Sequence, residues 1–239
     1  MKIHRPVQAN RLFRPDKTYA EIAWGEFPEV VSEFRNRLEA WYLQPAKVLA
    51  GTSDFAFSVM ALNCLFIDAL SQYRYGAQQS PTEALKNCTN KRLESSHFKF
   101  EDFIADRIPE LATPVAPPIR TGRLKNNNQP ETLSTLSEVL YTGFRCGILH
   151  EAHVALYGAL TGQETIASVE STGLCTYADT GADCPTIVVF PQKLLGTLVD
   201  VFSAYLGELV NPDAAFDALR ARFKEKFEDS FGVQISIQL

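Results

Sequence analysis

The stretch Tyr141–Tyr157, YTGFRCGILHEAHVALY, decides how the rest of the chain is read. It places Arg145, His150, Glu151 and His153 in an otherwise apolar run, and two of the chain's four histidines lie three residues apart in it. At about 100° per residue, a continuous α-helix puts Leu133, Leu136, Leu140, Phe144, Gly147 and Val154 on one stripe. This predicts a core-facing helix from just after Pro130 to about Tyr157. On that wheel His150 sits on the shoulder of the stripe and Arg145 points about 140° away from it. The two side chains then meet only if the helix breaks near Gly143 and Gly147, or if they come together across two chains. Glu151 falls on the stripe itself, where an unpaired carboxylate is costly, so a partner or a local kink is expected there.

Working outward, the segment 165–190 carries β-branched runs around a Gly- and Asp-rich turn and predicts a β-hairpin or small sheet. Two helices are expected after it, over about 191–210 and 212–229, and the tail FGVQISIQL alternates as a further strand would. Upstream, ATPVAPPIRTGRLKNNNQP (112–130) is rich in Pro and Asn and holds Arg120, Arg123 and Lys125 without an acid; it reads as a loop and the best local basic patch. Helical spacing predicts a first helix over about 28–42 that closes before Pro45. A second, apolar nearly all round, runs from about Ser53 to Tyr75 and ends at Gly76, with Asn63 and Asp68 as its polar exceptions. Two further helical pieces are expected between Ser80 and Leu111. Residues 1 to about 24 read as an N-terminal arm, so the expectation is a single domain over 1–239, mainly α.

Composition narrows the function classes. The chain is 46% hydrophobic and 21% charged, ordinary for a globular protein. With 23 basic and 28 acidic residues its formal net charge is -5, so contact with RNA or DNA would depend on a local patch. Five cysteines with no CxxC spacing suggest no disulfide framework and point to a reduced, cytoplasmic setting. No signal peptide and no membrane association are expected from the N-terminus and the apolar windows.

Three chemistries fit the residue types of the central stretch. Arg145 and His150 supply a fixed positive charge and a group that gives or takes a proton near neutral pH, which suits reactions building charge on phosphate. Metal binding through His150, Glu151 and His153 is the second. A zinc-binding helix wants histidines four apart, and only His97 or Asp68 stands as a further ligand, so neither metal nor cofactor is expected. The third makes Cys146 a nucleophile activated by His150, with no orienting third group to name.

The run FRCGILHEAH (144–153) resembles the Arg, four to six residues, His motif of the HEPN superfamily. The surrounding order is similar as well: a long helix with Asn63 and Asp68, the FEDFIADRIPEL segment, the motif helix, a hairpin and two closing helices. The resemblance implies a HEPN-like helical bundle with a small β-hairpin insertion that forms a homodimer, in which the two motifs share a cleft. It implies a metal-independent endoribonuclease of toxin–antitoxin or antiviral defence systems, with RNA as substrate and an antitoxin protein as a further partner. Arg145 and His150 would be its catalytic residues, with Cys146, Glu151, His153, Asn63 and Asp68 supporting the site or binding substrate. The residue after the motif arginine is commonly polar in active members and is Cys146 here, which keeps a second class in view: a non-catalytic RNA-binding or protein-interaction module.

Overall fold

A computed structural model of the chain describes residues 12–76, 96–124, 130–155, 157–160, 165–170, 177 and 182–237. They form a mostly helical protein with small sheets, organised as two compact units. One comprises Met1–Pro45, Asp68–Lys99 and Val199–Leu239; the other comprises Ala46–Ile67 and Phe100–Leu198.

The first unit is built on aromatic rings. Strands β1 (Leu12–Arg14) and β2 (Lys17–Thr18) form a tight antiparallel hairpin. Its Phe13 is fully buried, with its ring edge-on to Tyr19, Trp24 and Phe231. Helix α1 (Phe27–Leu38) starts with Pro28 in its first turn, where a missing N–H costs nothing. From it the buried Glu33 accepts hydrogen bonds from Arg14 Nε at 3.0 Å and from Lys17 Nζ. The Arg37 guanidinium covers the rings of Phe13 and Phe231. Residues 12–24 are therefore core-forming rather than an arm. An aromatic at 13, 19 and 24 contributes apolar area that an isolated arm would leave in water.

The first helix does not close before Pro45. A wide π turn, Glu39–Leu43, carries the chain into α2 (Gln44–Leu49), and Gln44 N–H donates to the carbonyl five residues back. In a regular α-helix the Pro45 ring would press on the carbonyl of residue 41; the wide turn ahead of it relieves that clash.

Helix α3 (Ala56–Tyr75) ends at Gly76, whose φ of +92° suits a residue without Cβ. Val59, Met60, Phe66, Ile67 and Leu70 are buried, but Phe55, just ahead of the helix, and Phe57 in its first turn are exposed, so burial is not all round. By length and composition α3 is apolar enough to cross a bilayer, and half of its apolar window is buried within the protein, as in a core helix.

Helix α4 (Ser96–Arg107) is the second of the two pieces expected between 80 and 111; the first lies outside the described residues. Its Lys99 is buried and donates to the Gly76 carbonyl at 2.9 Å.

The two closing helices are α6 (Pro191–Val210) and α7 (Asp217–Phe231). Phe223 and Phe227 of α7 pack around Phe34 of α1 and Tyr73 of α3. After Gly232 the tail keeps its alternation, with Val233 and Ile235 buried, yet residues 232–237 form no strand. Instead, Ile235 N–H donates to Glu228 Oε1 at 2.8 Å.

Burial of Lys226 on α7 pulls its ammonium below the ordinary lysine range, against the opposing pull of Asp229 and Asp68. A lysine whose folded pKa is depressed binds its proton less well folded than unfolded. The destabilisation is full below the folded pKa and disappears as pH rises past the unfolded value. Lys226→Met is therefore expected to raise the thermal midpoint at neutral pH, with an advantage over wild type that shrinks toward pH ~10.4. Paired melting curves across that range check it, and a constant difference would contradict it.

In the second unit, β3 (Pro114–Leu124) and β4 (Pro130–Thr135) form an antiparallel pair, so most of the segment expected as a loop is strand. A two-stranded sheet has no second neighbour, and a proline that cannot donate is tolerated on its outer side; the register shifts between Pro114 and Ile119. Thr135 then caps a short helix α5 (Leu136–Val139) through a capping box: its hydroxyl accepts from Glu138 N–H, and the Glu138 carboxylate accepts from Thr135 N–H. Strands β5 (Gly158–Leu160), β6 (Ala167–Glu170) and β7 (Thr186–Val189) form a mixed sheet in the order β5-β7-β6, with β7 buried throughout. The small sheet expected over 165–190 is present and gains β5 as a parallel third strand.

Candidate functional site

From α5 the chain runs directly into a π-helix, Leu140–Glu151. Its i→i+5 hydrogen bonds widen the turn, so residues five apart stand about one turn above each other. The buried positions recur in pairs four apart: Val139 and Leu140, Gly143 and Phe144, Gly147 and Ile148. Leu133 instead lies on β4, and Val154 lies beyond the helix end, so the single α-helical stripe expected over 133–154 does not exist as one face.

The π register changes the relation between the two residues of the motif. Arg145 Nη1 and His150 Nε2 are 3.1 Å apart within one protomer. They need neither a broken helix nor a second chain to meet. A guanidinium has only donors, so Nε2 is the acceptor in this contact. The Arg145 guanidinium also lies 5.4 Å from the Tyr141 ring centroid, and that ring meets fully buried Phe100 edge-on at 5.3 Å. Arg145 is half-buried and His150 is exposed, so the pair opens to solvent at its histidine end.

The helix ends at Ala152, which takes a left-handed conformation with φ of 54°, the only described non-glycine residue at positive φ. This strained turn, two residues after His150, sends the chain back along the helix. Gly147 O accepts from both Ala152 N–H and His153 N–H, and Gly143 O accepts from Ala155 N–H at 3.1 Å. The approach is close enough that a Cβ on Gly147 would lie 2.6 Å from the His153 carbonyl oxygen, and one on Gly143 would lie 2.6 Å from the Tyr157 ring. The G-x-x-x-G spacing of Gly143 and Gly147 was the signal in the sequence for this clasp.

The remaining candidates are distributed as follows. Glu151 is exposed rather than core-facing, and its carboxylate is 3.5 Å from His153 Nε2, so these two form a second pair at the helix end. Cys146 is half-exposed, while His150 Nε2 is engaged by Arg145 rather than by the thiol. Asn63 is buried and donates from Nδ2 to the Pro191 carbonyl at 2.8 Å, tying α3 to the start of α6, while its Oδ1 is buried without a hydrogen-bond partner among the described residues. Asp68 belongs to the first unit, where it lies in the field of Lys226. The His97 side chain lies outside the described residues. Among the described residues no three His, Cys, Asp or Glu side chains converge as metal ligands would.

Of the expected basic patch, the Arg120 guanidinium stacks on Tyr177 at 4.3 Å from the ring centroid, and Tyr177 O–H accepts from Arg120 N–H at 3.1 Å. Burial raises the Tyr177 phenol above its ordinary range. Arg120 thus ties β3 to Tyr177 through both its side chain and its backbone.

No family model matches the chain, and no curated protein or solved structure matches it either.

Proposed function

We propose that the chain is a HEPN-like, metal-independent RNA endonuclease that acts as a homodimer. The observation that carries this reading is the contact between Arg145 and His150 on one side of the π-helix, open to solvent at the imidazole. A fixed cation beside a proton acceptor suits transesterification at an RNA phosphodiester. His150 removes the proton of a 2′-hydroxyl, the 2′-oxygen attacks the adjacent phosphorus, and the 5′-oxygen leaves with a proton from an acid. Phosphate oxygens replace the imidazole as acceptors for Arg145, whose guanidinium then faces the charge that builds on them. The products are a 2′,3′-cyclic phosphate and a 5′-hydroxyl.

One imidazole serves as base, and the leaving oxygen needs a separate acid. A second copy of the chain, bringing its own His150 across a two-fold axis, supplies that group, which is why we propose the dimer. A toxin or antiphage role in the cytoplasm, with an antitoxin as protein partner, is part of the same proposal.

The test is cleavage of a mixed RNA pool in EDTA. Wild type is expected to cut and leave cyclic or 3′-phosphate ends, and His150→Ala to lose roughly 10²–10⁴-fold of the rate. Equal rates for the two proteins would remove His150 from the mechanism.

A second reading is favoured by the same contact. The Arg145–His150 hydrogen bond closes one wide turn and is complete without substrate, as a structural contact in a non-catalytic RNA-binding or protein-interaction module would be. RNA binding that weakens with salt, survives His150→Ala and yields no cut ends would select this module.

A further inference from the structure

We infer that Tyr141 is a positioning residue for Arg145. Its catalytic consequence rests on the nuclease reading above, while its structural content does not.

Tyr141, Arg145 and His150 are spaced by four and then five residues. In a π-helix both steps are close to one turn, so the three side chains form a column up one side; in an α-helix His150 would swing about 140° out of it. Within the column the guanidinium is held from both sides. Its Cζ is 5.4 Å from the Tyr141 ring centroid, and its Nη1 reaches His150 Nε2 at 3.1 Å. The platform is itself fixed, because the Tyr141 ring is lodged edge-on at 5.3 Å against Phe100, which is fully buried.

An arginine side chain has several rotatable bonds, and its planar fork is effective only when its orientation is set before the reaction. The aromatic face supplies that orientation by attraction between ring and cation. His150 cannot do so alone, because it must release Arg145 while it handles a proton. Tyr141 therefore holds the guanidinium in place during the step in which the imidazole contact is lost.

The expected signature separates kcat from KM. Long-range attraction between arginine and RNA survives loss of the ring, since charge alone sets it. Stabilisation of the transition state, which needs a fixed orientation, does not. Tyr141→Phe keeps the face and should cut within about twofold of wild type, whereas Tyr141→Leu should lose about tenfold in kcat with KM nearly unchanged.

A second readout needs no activity. In proton NMR the Arg145 side-chain protons should be shifted upfield by the Tyr141 ring current in wild type and in Tyr141→Phe, and should move to unperturbed values in Tyr141→Leu. If wild type cuts no RNA, the nuclease reading fails while the ring-current shift still decides the inference. If Tyr141→Leu does not fold, the shift in wild type and Tyr141→Phe decides it. Unperturbed Arg145 protons in wild type would overturn the inference. So would a folded Tyr141→Leu that keeps the wild-type kcat, or one whose loss appears in KM alone.

Discussion

Phe34→Ala is expected to lower the unfolding free energy by about 4 kcal/mol, the largest loss from a single truncation in the first unit. Phe34 is fully buried on α1 and meets four rings: Tyr73 at 4.5 Å, Phe223 at 5.1 Å, Phe202 at 6.1 Å and Phe227 at 6.2 Å between centroids. All four contacts are edge-on, so truncation removes favourable ring geometry as well as buried area. The rings around it come from α3, α6 and α7, and none can fill the vacancy without leaving its other partners. Phe34→Leu keeps most of the volume and should lose only about 1–2 kcal/mol. Both tryptophans of the chain, Trp24 and Trp41, lie in this unit, so tryptophan fluorescence during urea unfolding reports on it directly. A loss near 1 kcal/mol for the alanine variant would mean that the cluster relaxes around the gap and is not the unit's organising core.

The parts of this architecture that were legible in the sequence have local signals. Helix α3 ends at Gly76 as expected, because the left-handed residue that stops a helix is most easily a glycine. Helices α6 and α7 follow prolines and an amphipathic period. What was not legible depends on long-range contact. The prolines of 114–118 suggest a loop by composition, yet they sit in a strand, because a two-stranded ribbon leaves one side without hydrogen-bonding demands. Phe13 is ordinary in an apparent arm until Phe227 and Phe231, more than two hundred residues later, cover it. One local signal was overlooked: T-L-S-E at 135–138 is a capping box, and it places the helix start after Thr135, leaving 130–135 free to pair as strand.

The candidate site divides in the same way. Arg145 and His150 stood out by residue type, but their contact did not follow from a wheel drawn at 3.6 residues per turn. A wide helix is rare enough that its period is not the default, and the closely packed glycines at 143 and 147 were the only local hint of it. Asn63 stood out as a polar residue on an apolar helix; its amide nitrogen donates to the Pro191 carbonyl, a partner far along the chain that no local pattern announces, while its Oδ1 is buried without a hydrogen-bond partner among the described residues.

Gly147→Ala brings the helix register and the site into one experiment, because the sign of its effect depends on the clasp. In an open helix, replacing glycine by alanine stabilises by roughly 0.5–1 kcal/mol, since glycine loses more backbone freedom on folding. Gly196 in α6 has nothing within 4 Å of an added Cβ, so Gly196→Ala should show that gain and serves as the control. At Gly147 the added Cβ would sit 2.6 Å from the His153 carbonyl oxygen, a backbone atom held by the turn at Ala152 and the bond from Ala155 N–H to Gly143 O. The returning segment must then move away, and the second bond to the Gly147 carbonyl is lost with it. The expected result is a destabilisation of about 2–3 kcal/mol. Gly143→Ala meets the edge of a tyrosine ring, which can turn, and should lose less. Because the clasp holds the wide turns, its release lets the segment revert to α-helical spacing, which carries His150 about 140° away from Arg145. Cleavage by Gly147→Ala should therefore fall toward the level of His150→Ala under conditions where the variant is still folded by far-ultraviolet circular dichroism. A variant that melts higher than wild type, as Gly196→Ala should, would show that residues 153–158 do not hold this helix, and the π register would lose its explanation.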